Sequence, residues 1–385
     1  MSAWIASVPG HSILSFTSGA CYRIEGTLEL MNRSDLDFEG NGAIFRSRNP
    51  PVDKRAIWRV IDSKNITFHD MTIEGSYKKG GTFTARWQHA HAIEAHGSSL
   101  DIADVTIEDV AGDCVYFGGG YTSALTLSSG TVQDSSCLRT GRNAVSVVAG
   151  ENILVHGMTT GSIGYDVFDV EPNPGAFWGS NGVTFDGNTI GSYAKNAYSI
   201  VEGAPITNQF FTNNRVVEQG LRIGIADPAH AGYRPTNVTI ANNTAASPQT
   251  PSAINVDNVD GLTVTGNTVP MTGGPMAAVV GSCDLRIAGN KYPGGSTDAL
   301  IYPWICAFTP AEGPPGASVT IRGTGFNQAS AVAINGQRAS FRLDSGTQIR
   351  MVVPRGAGKG PIAVKAPNGT ARSSANFTVL TRHGG

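Results

Sequence analysis

Carboxylates, histidines and an arginine crowd one stretch of the chain: His91, Glu94, His96, Asp113, Arg142, Asp166, Asp169 and Glu171. Acid/base cleavage of a glycosidic bond needs two carboxyls, about 5 to 5.5 Å apart for retention of configuration and about 6.5 to 9.5 Å for inversion. On an extended strand Asp169 and Glu171 share a face and stand about 7 Å apart. Arg142 brings a planar fork of donors suited to a carboxylate or a sugar hydroxyl. Trp87, Tyr116, Phe177, Trp178 and Tyr198 flank the same stretch, and sugar faces stack on such rings.

These side chains need a scaffold that gathers residues far apart in number. Short alternating runs recur along the chain, among them Asn65-Ile66-Thr67-Phe68, Leu100-Asp101-Ile102, Ile153-Leu154-Val155, Val183-Thr184-Phe185, Val238-Thr239-Ile240 and Leu262-Thr263-Val264. A bend rich in Gly, Asn or Asp follows most of them and then a second short run, as in Gly187-Asn188-Thr189-Ile190 and Gly266-Asn267-Thr268-Val269. The units repeat at roughly 23 to 34 residues, which three short strands and three turns use up in one circuit of a solenoid. A propeller would instead repeat at about 40 residues with hairpin turns.

In such a solenoid the matching strands of successive coils lie about 4.8 Å apart, so sites are columns rather than linear motifs. Aligning the apolar pairs Ile93/Ala95, Val115/Phe117, Val145/Val147 and Phe168/Val170 as inward-facing gives an outward column of Glu94, Tyr116, Ser146 and Asp169. The column two places on reads His96, Gly118, Val148, Glu171, and two residues before the first inward position stand His91, Asp113, Asn143 and Asp166. This face is read as acidic. The candidate catalytic set is Asp169 and Glu171, with Asp113 and Asp166 as alternative members. His91, Glu94, Arg142, Asn143, Tyr116, Trp87, Trp178 and Tyr198 are the candidate substrate binders. Loops 76–88 and 172–181 are expected to wall the groove and bring Trp87 and Trp178 to the sugar.

From about Leu28 to Tyr292 this pattern resembles the right-handed parallel β-helix, or pectate-lyase-like, superfamily. The resemblance implies an all-β fold and a carbohydrate-active site on the outer face. Asp113-Cys114-Val115-Tyr116-Phe117-Gly118 is also similar to the Asp-Asp-Cys strand of polygalacturonases. Gly112 replaces the second Asp there, Gly141-Arg142-Asn143-Ala144 replaces that family's Gly-His-Gly, and no Arg-Ile-Lys follows, so only Asp113 carries over. From Ile305 the texture changes to turn clusters between alternating strands, including Gly313-Pro314-Pro315-Gly316, Ala333-Ile334-Asn335-Gly336 and Ala375-Asn376-Phe377-Thr378-Val379. That run resembles an IPT/TIG domain, an immunoglobulin-like sandwich. The expected organisation is a β-helix over 1–303 and the sandwich over 304–385, with Cys283 and Cys306 placed to staple one to the other. Cys114 and Cys137 read by default as packed thiols, with one or two bridges among the five cysteines left open.

The 385 residues carry 28 Lys+Arg against 30 Asp+Glu, a net charge of −2, and 48 glycines. That balance excludes an obvious nucleic-acid binder, and no apolar run approaches the roughly 20 residues of a membrane span. Met1-Ser2-Ala3-Trp4 lacks the features of a signal peptide, so a secreted, cell-surface or virion-borne protein is expected with any leader absent from this sequence. Five cysteines without a CxxC spacing argue against zinc. No cofactor is expected, although hard oxygen ligands at Asp166, Asp169 and Glu171 would suit calcium. The Asn-x-Ser/Thr patterns at Asn32, Asn65, Asn237, Asn242, Asn368 and Asn376 are read as structural. The functional expectation is a monomeric or trimeric glycoside hydrolase acting on a neutral or weakly charged polysaccharide. A polysaccharide lyase on the same fold, which would prefer a basic groove, and a glycan-binding adhesin or phage tail protein are the alternatives.

Overall fold

The computed structural model describes residues 2–120, 126–173, 179–201, 203–225, 233–249, 252–294 and 297–380. Two long parallel sheets run side by side from near the N-terminus to Ile301, one of 17 strands and one of 11. The second, called the site sheet below, takes one short strand from each coil: Leu28–Met31, Trp58–Ile61, Ile93–His96, Val115–Gly118, Val145–Val147, Phe168–Val170, Tyr198–Ile200, Ile223–Ile225, Ile254–Asp257, Pro275–Val280 and Thr297–Ile301. Every neighbouring pair in it is parallel, with Ile93, Val115, Val145 and Phe168 in one register line. This is a parallel β-helix followed by a β-sandwich, as the repeat predicted.

Alternation drives the winding. Odd positions on the site strands fill the interior with Val, Ile, Ala and Phe, and stacks such as Phe38 on Phe68 and Tyr198 on Phe211 run from coil to coil. The short helix Ser2–Ser7 covers the first coils, with Ile5 buried against them. Bends between sheets need the left-handed backbone that Asn and Asp tolerate. Asn32, Asn65, Asn237 and Asn242 have φ between 52° and 57°, which accounts for most of the Asn-x-Ser/Thr patterns.

At one corner the fully or nearly fully buried amides of Asn188, Asn214, Asn243 and Asn267 form a ladder continued by Asn290. Each side-chain oxygen accepts the backbone N–H of the preceding coil, and each side-chain N–H₂ donates to the next amide and to a strand carbonyl. A buried corner thereby leaves few backbone groups unpaired, which a sharply turning solenoid otherwise cannot avoid.

The reading of Cys114 and Cys137 as thiols is corrected: both are fully buried and joined in a disulfide across the interior of one coil. Cys283 and Cys306 form the second disulfide and tie the last coils to the sandwich, while Cys21 is an exposed thiol. Thr324 Oγ1 donates to the Ser282 carbonyl at 2.8 Å and Asn368 Nδ2 to the Ile301 carbonyl at 3.0 Å across the same junction. The sandwich packs a sheet of four strands on one of five around its own core of Val319, Ile321, Phe326, Ile349, Val364 and Phe377.

Candidate functional site

The outward column of the site sheet is in the expected order. Arg59, Glu94, Tyr116, Ser146, Asp169 and Ser199 pair in register on consecutive coils. Arg59 heads the column because Trp58 and Val60 form the inward pair one coil earlier. Extending the alignment back by one coil would have found it.

Arg142, in the turn before Val145, organises the acids. Its Nη1 donates to Asp113 Oδ2 at 2.8 Å and its Nη2 to Glu171 Oε2 at 2.8 Å, with Asp169 Oδ2 at 3.8 Å from the same Nη2. Burial works against the guanidinium charge, but Asp113, Asp169 and Glu171 outweigh it and hold its proton more tightly than usual. Of the three carboxyls only Glu171 reaches solvent, at 41% side-chain exposure against 0% for Asp113 and 2% for Asp169.

Asp113 and Asp166 belong to a second ladder, in the turns that precede the site strands. Asp113 N–H donates to His91 Nδ1, Asn143 N–H to Asp113 Oδ1 and Asp166 N–H to Asn143 Oδ1, each at 3.0 Å. Histidine, aspartate and asparagine here do what asparagine alone does at the other corner. Asp113 and Asp166 are therefore buried in the ladder at 0% and 1% exposure, Asp169 lies as deep at 1%, and His91, at 4%, reaches the cleft lining. Burial pushes the Asp166 carboxyl up to about 6, against the pull of Lys195, whose Nζ lies 3.8 Å from Oδ2. Burial also pulls His91 below its usual range in spite of Asp113 and Glu94.

Asp169 is the most perturbed of the acids. Burial first, then the neighbouring Glu171 and Asp166, hold its proton affinity well above the carboxylate range, with Arg142 opposing. Asn143 Nδ2 donates to Oδ2 at 3.1 Å and to Ser146 Oγ at 2.9 Å, while Oδ1 has no protein partner. A buried carboxyl oxygen without a partner is uncommon and calls for a ligand or water.

Above these groups opens a cleft of about 430 Å³, lined among others by Lys54, Arg59, His89, Glu94, His96, Tyr116, Arg142 and Glu171. The expectation of an acidic face is corrected here. Arg59 neutralises Glu94, Arg142 neutralises Glu171, and Lys54 and His89 add positive or protonatable groups from the loop side. Lys54, Arg59 and His89 were not among the residues that the sequence singled out, and His96, read on the outward face, was left out of the candidate binders.

The aromatic expectations divide. Tyr116 lines the cleft, its ring stacked on His91 at 4.8 Å. Trp87 ends the short 3₁₀ turn Ala85–Trp87 and packs edge-on to Tyr77 over Ala90 and Ala111, beside the cleft and not in its lining. Trp178 lies outside the described residues. Tyr198 is a correction: it pairs with Phe168, shares its inward parity and is fully buried against Phe211. For calcium, no group of three or more His, Cys, Asp or Glu side chains among the described residues converges on a metal position. The Arg142 guanidinium already fills the space between the carboxylates.

Comparison with known proteins bears on the two parts separately. Residues 303–379 match the IPT/TIG domain. An auxiliary nutrient binding protein from Bacteroides thetaiotaomicron is 23% identical over 20% of this chain and 21% of that one, with a TM-score of 0.19. This chain therefore spans about a fifth of that protein's length. An alginate lyase from Paenibacillus is 13% identical over 76% of this chain and 94% of that one, TM-score 0.45. The tailspike protein of E. coli bacteriophage HK620, solved with a pentasaccharide, is 13% identical over 92% and 73%, TM-score 0.44. No curated protein matches the chain. By its own strand register the chain is a parallel β-helix, carrying at residues 303–379 a stretch that matches the IPT/TIG domain.

Proposed function

We propose that the cleft binds a polysaccharide and hydrolyses it, with Glu171 and Asp169 as the carboxyl pair. The carrying observation is the contrast between the two acids that share Arg142. Glu171 is solvent-facing, as a base that activates water must be, and the Arg142 guanidinium fixes its position. Burial and the neighbouring acids raise the proton affinity of Asp169, and one of its oxygens has no protein partner, as suits an acid that a glycosidic oxygen reaches by entering its buried position. Both carboxyls lie within 4 Å of one nitrogen, at 3.8 and 2.8 Å, so their facing oxygens are at most about 6.6 Å apart, a bound that covers the retaining separation and reaches only the lower edge of the inverting one. Asp113, Asn143, Asp166 and His91 position this pair through the ladder beneath it. Glu94 and Tyr116 line the subsites toward Arg59.

Two buried or junctional disulfides favour an oxidising compartment, which supports action outside the cell or on a virion surface. A lyase is the second reading, and one observation favours it: Lys54, Arg59 and Arg142 line the cleft, and such cations suit a uronate carboxylate. A panel of microbial-envelope and plant glycans, assayed by product mass, tests both. Glu171→Gln and Asp169→Asn are each expected to lower kcat on the cleaved glycan by about a hundredfold or more. Undiminished cleavage by both variants would remove the pair from the mechanism.

A further inference from the structure

Asn143 has every hydrogen-bonding group of its side chain committed. The backbone N–H of Asp166 can only donate, and it donates to Asn143 Oδ1 at 3.0 Å, so the other end of the amide is the NH₂. Each of its two hydrogens has an acceptor, Ser146 Oγ at 2.9 Å and Asp169 Oδ2 at 3.1 Å. The backbone N–H of Asn143 is held in turn by Asp113 Oδ1 at 3.0 Å. Asn143 and Ser146 are both 0% exposed, so bulk water does not compete for these bonds.

The two oxygens of Asp169 are thereby made unequal. Oδ2 receives the Asn143 amide and faces Arg142 Nη2 at 3.8 Å, whereas Oδ1 has no protein partner. A carboxyl hydrogen placed on Oδ2 would meet other hydrogens; on Oδ1 it meets none of these donors. Burial and the neighbouring acids favour the protonated carboxyl in which this difference matters.

We propose that Asn143 is the positioning residue of the acid step: its amide reserves Oδ2 as the acceptor end of Asp169 and so puts the transferable proton on Oδ1. The inference rests on the reading of Asp169 as the acid of a glycan hydrolysis. As the glycosidic C–O bond breaks, the leaving oxygen keeps the bonding pair and takes the Oδ1 proton, while the water that bonds to the anomeric carbon gives its proton to Glu171. The charge left on Asp169 spreads to Oδ2, where the Asn143 N–H and the Arg142 guanidinium already stand, so no dipole has to turn to meet it.

Infrared difference spectra of the full chain against Asp169→Asn, in mildly acidic buffer, isolate the carbonyl stretch of the protonated Asp169 carboxyl. That band is expected at the position of a hydrogen-bonded carbonyl and should move to higher wavenumber in Asn143→Leu, which keeps the volume and loses the donor. A band that does not move, or no protonated-carboxyl band at all, overturns the proposal whether or not any glycan is cleaved. Should Asn143→Leu not fold, the native chain decides: in ¹⁵N spectra both side-chain amide hydrogens of Asn143 are expected to exchange slowly with solvent, and a freely exchanging hydrogen overturns the arrangement. With oligosaccharides from the cleavage screen, Asn143→Leu should lower kcat about tenfold to a hundredfold with a much smaller change in KM. A rise in KM at retained kcat overturns the role in the acid step. A protein that shows the infrared shift yet cleaves nothing upholds the proton's placement and overturns the hydrolase reading alone.

Discussion

Replacing Asp166 by Asn separates a structural acid from a catalytic one. Asp166 sits at 1% exposure on the turn ladder, and the flanking positions, Asn143 and Asn196, are already amides. Its carboxyl is raised from 3.8 to about 6, chiefly by burial. At about 1.4 kcal/mol per unit, that is a contribution of about 3 kcal/mol. Because the folded-state value lies above the unfolded one, this stability is fully present below about pH 4 and is lost as pH rises through about 6. Asparagine cannot ionise and retains an acceptor for the rung. The attraction of Lys195 is already contained in the value of about 6. Relative to the native chain, Asp166→Asn should therefore gain about 3 kcal/mol between about pH 4 and about pH 8. Urea titrations of both proteins at several pH values, followed by the fluorescence change of the β-helix transition, measure it. Curves that stay parallel across that interval would refute the burial argument, and loss of glycan cleavage in Asp166→Asn would return this acid to the catalytic set.

The other predictions follow from the same packing. Asn243→Ala strands the backbone N–H and one side-chain N–H of Asn214 and the side-chain bond to the Phe211 carbonyl, while Asn267 Oδ1 keeps the backbone N–H of residue 243, and should cost about 3 kcal/mol by urea midpoint. Tyr198→Phe removes a buried hydroxyl with no hydrogen-bond partner, so it should be neutral or stabilise by up to about 1 kcal/mol and leave glycan KM unchanged. A rise in KM would put Tyr198 back at the site. Serine at both Cys283 and Cys306 removes the staple at the junction; limited proteolysis should then release the sandwich, which keeps its own core, faster than from the native protein.

Much of this was legible in the sequence because a parallel β-helix converts spacing into adjacency. The apolar pairs from Ile93/Ala95 to Phe168/Val170 were enough to place Glu94, Tyr116, Ser146 and Asp169 in one column. Tyr198 was misassigned although the same pairing, carried one coil further to Tyr198/Ile200, gives it inward parity. What spacing does not carry is depth. Nothing in the residue types distinguishes Asp113 and Asp166, held in the turn ladder at 0% and 1% exposure, from Glu171, which is open to water. Ladders at the Asn corner had a visible signal in the recurrent Asn188, Asn214, Asn243 and Asn267, but the turn ladder mixes His, Asp and Asn and has no such repeat. The face looked acidic because its cations, Lys54, Arg59 and His89, arrive from an earlier coil and a loop. The Cys114–Cys137 bridge depends on the turn before Val115–Gly118 meeting the strand Ser136–Thr140, which only the coil's three-dimensional closure decides.

The most direct test of the central claim is the fate of a water oxygen. The glycan that the protein cleaves is digested in water enriched in heavy oxygen, and the new ends are weighed. Hydrolysis by Glu171 and Asp169 predicts one heavy oxygen at each new reducing end. Chain ends that gain no label and carry a carbon–carbon double bond would contradict it.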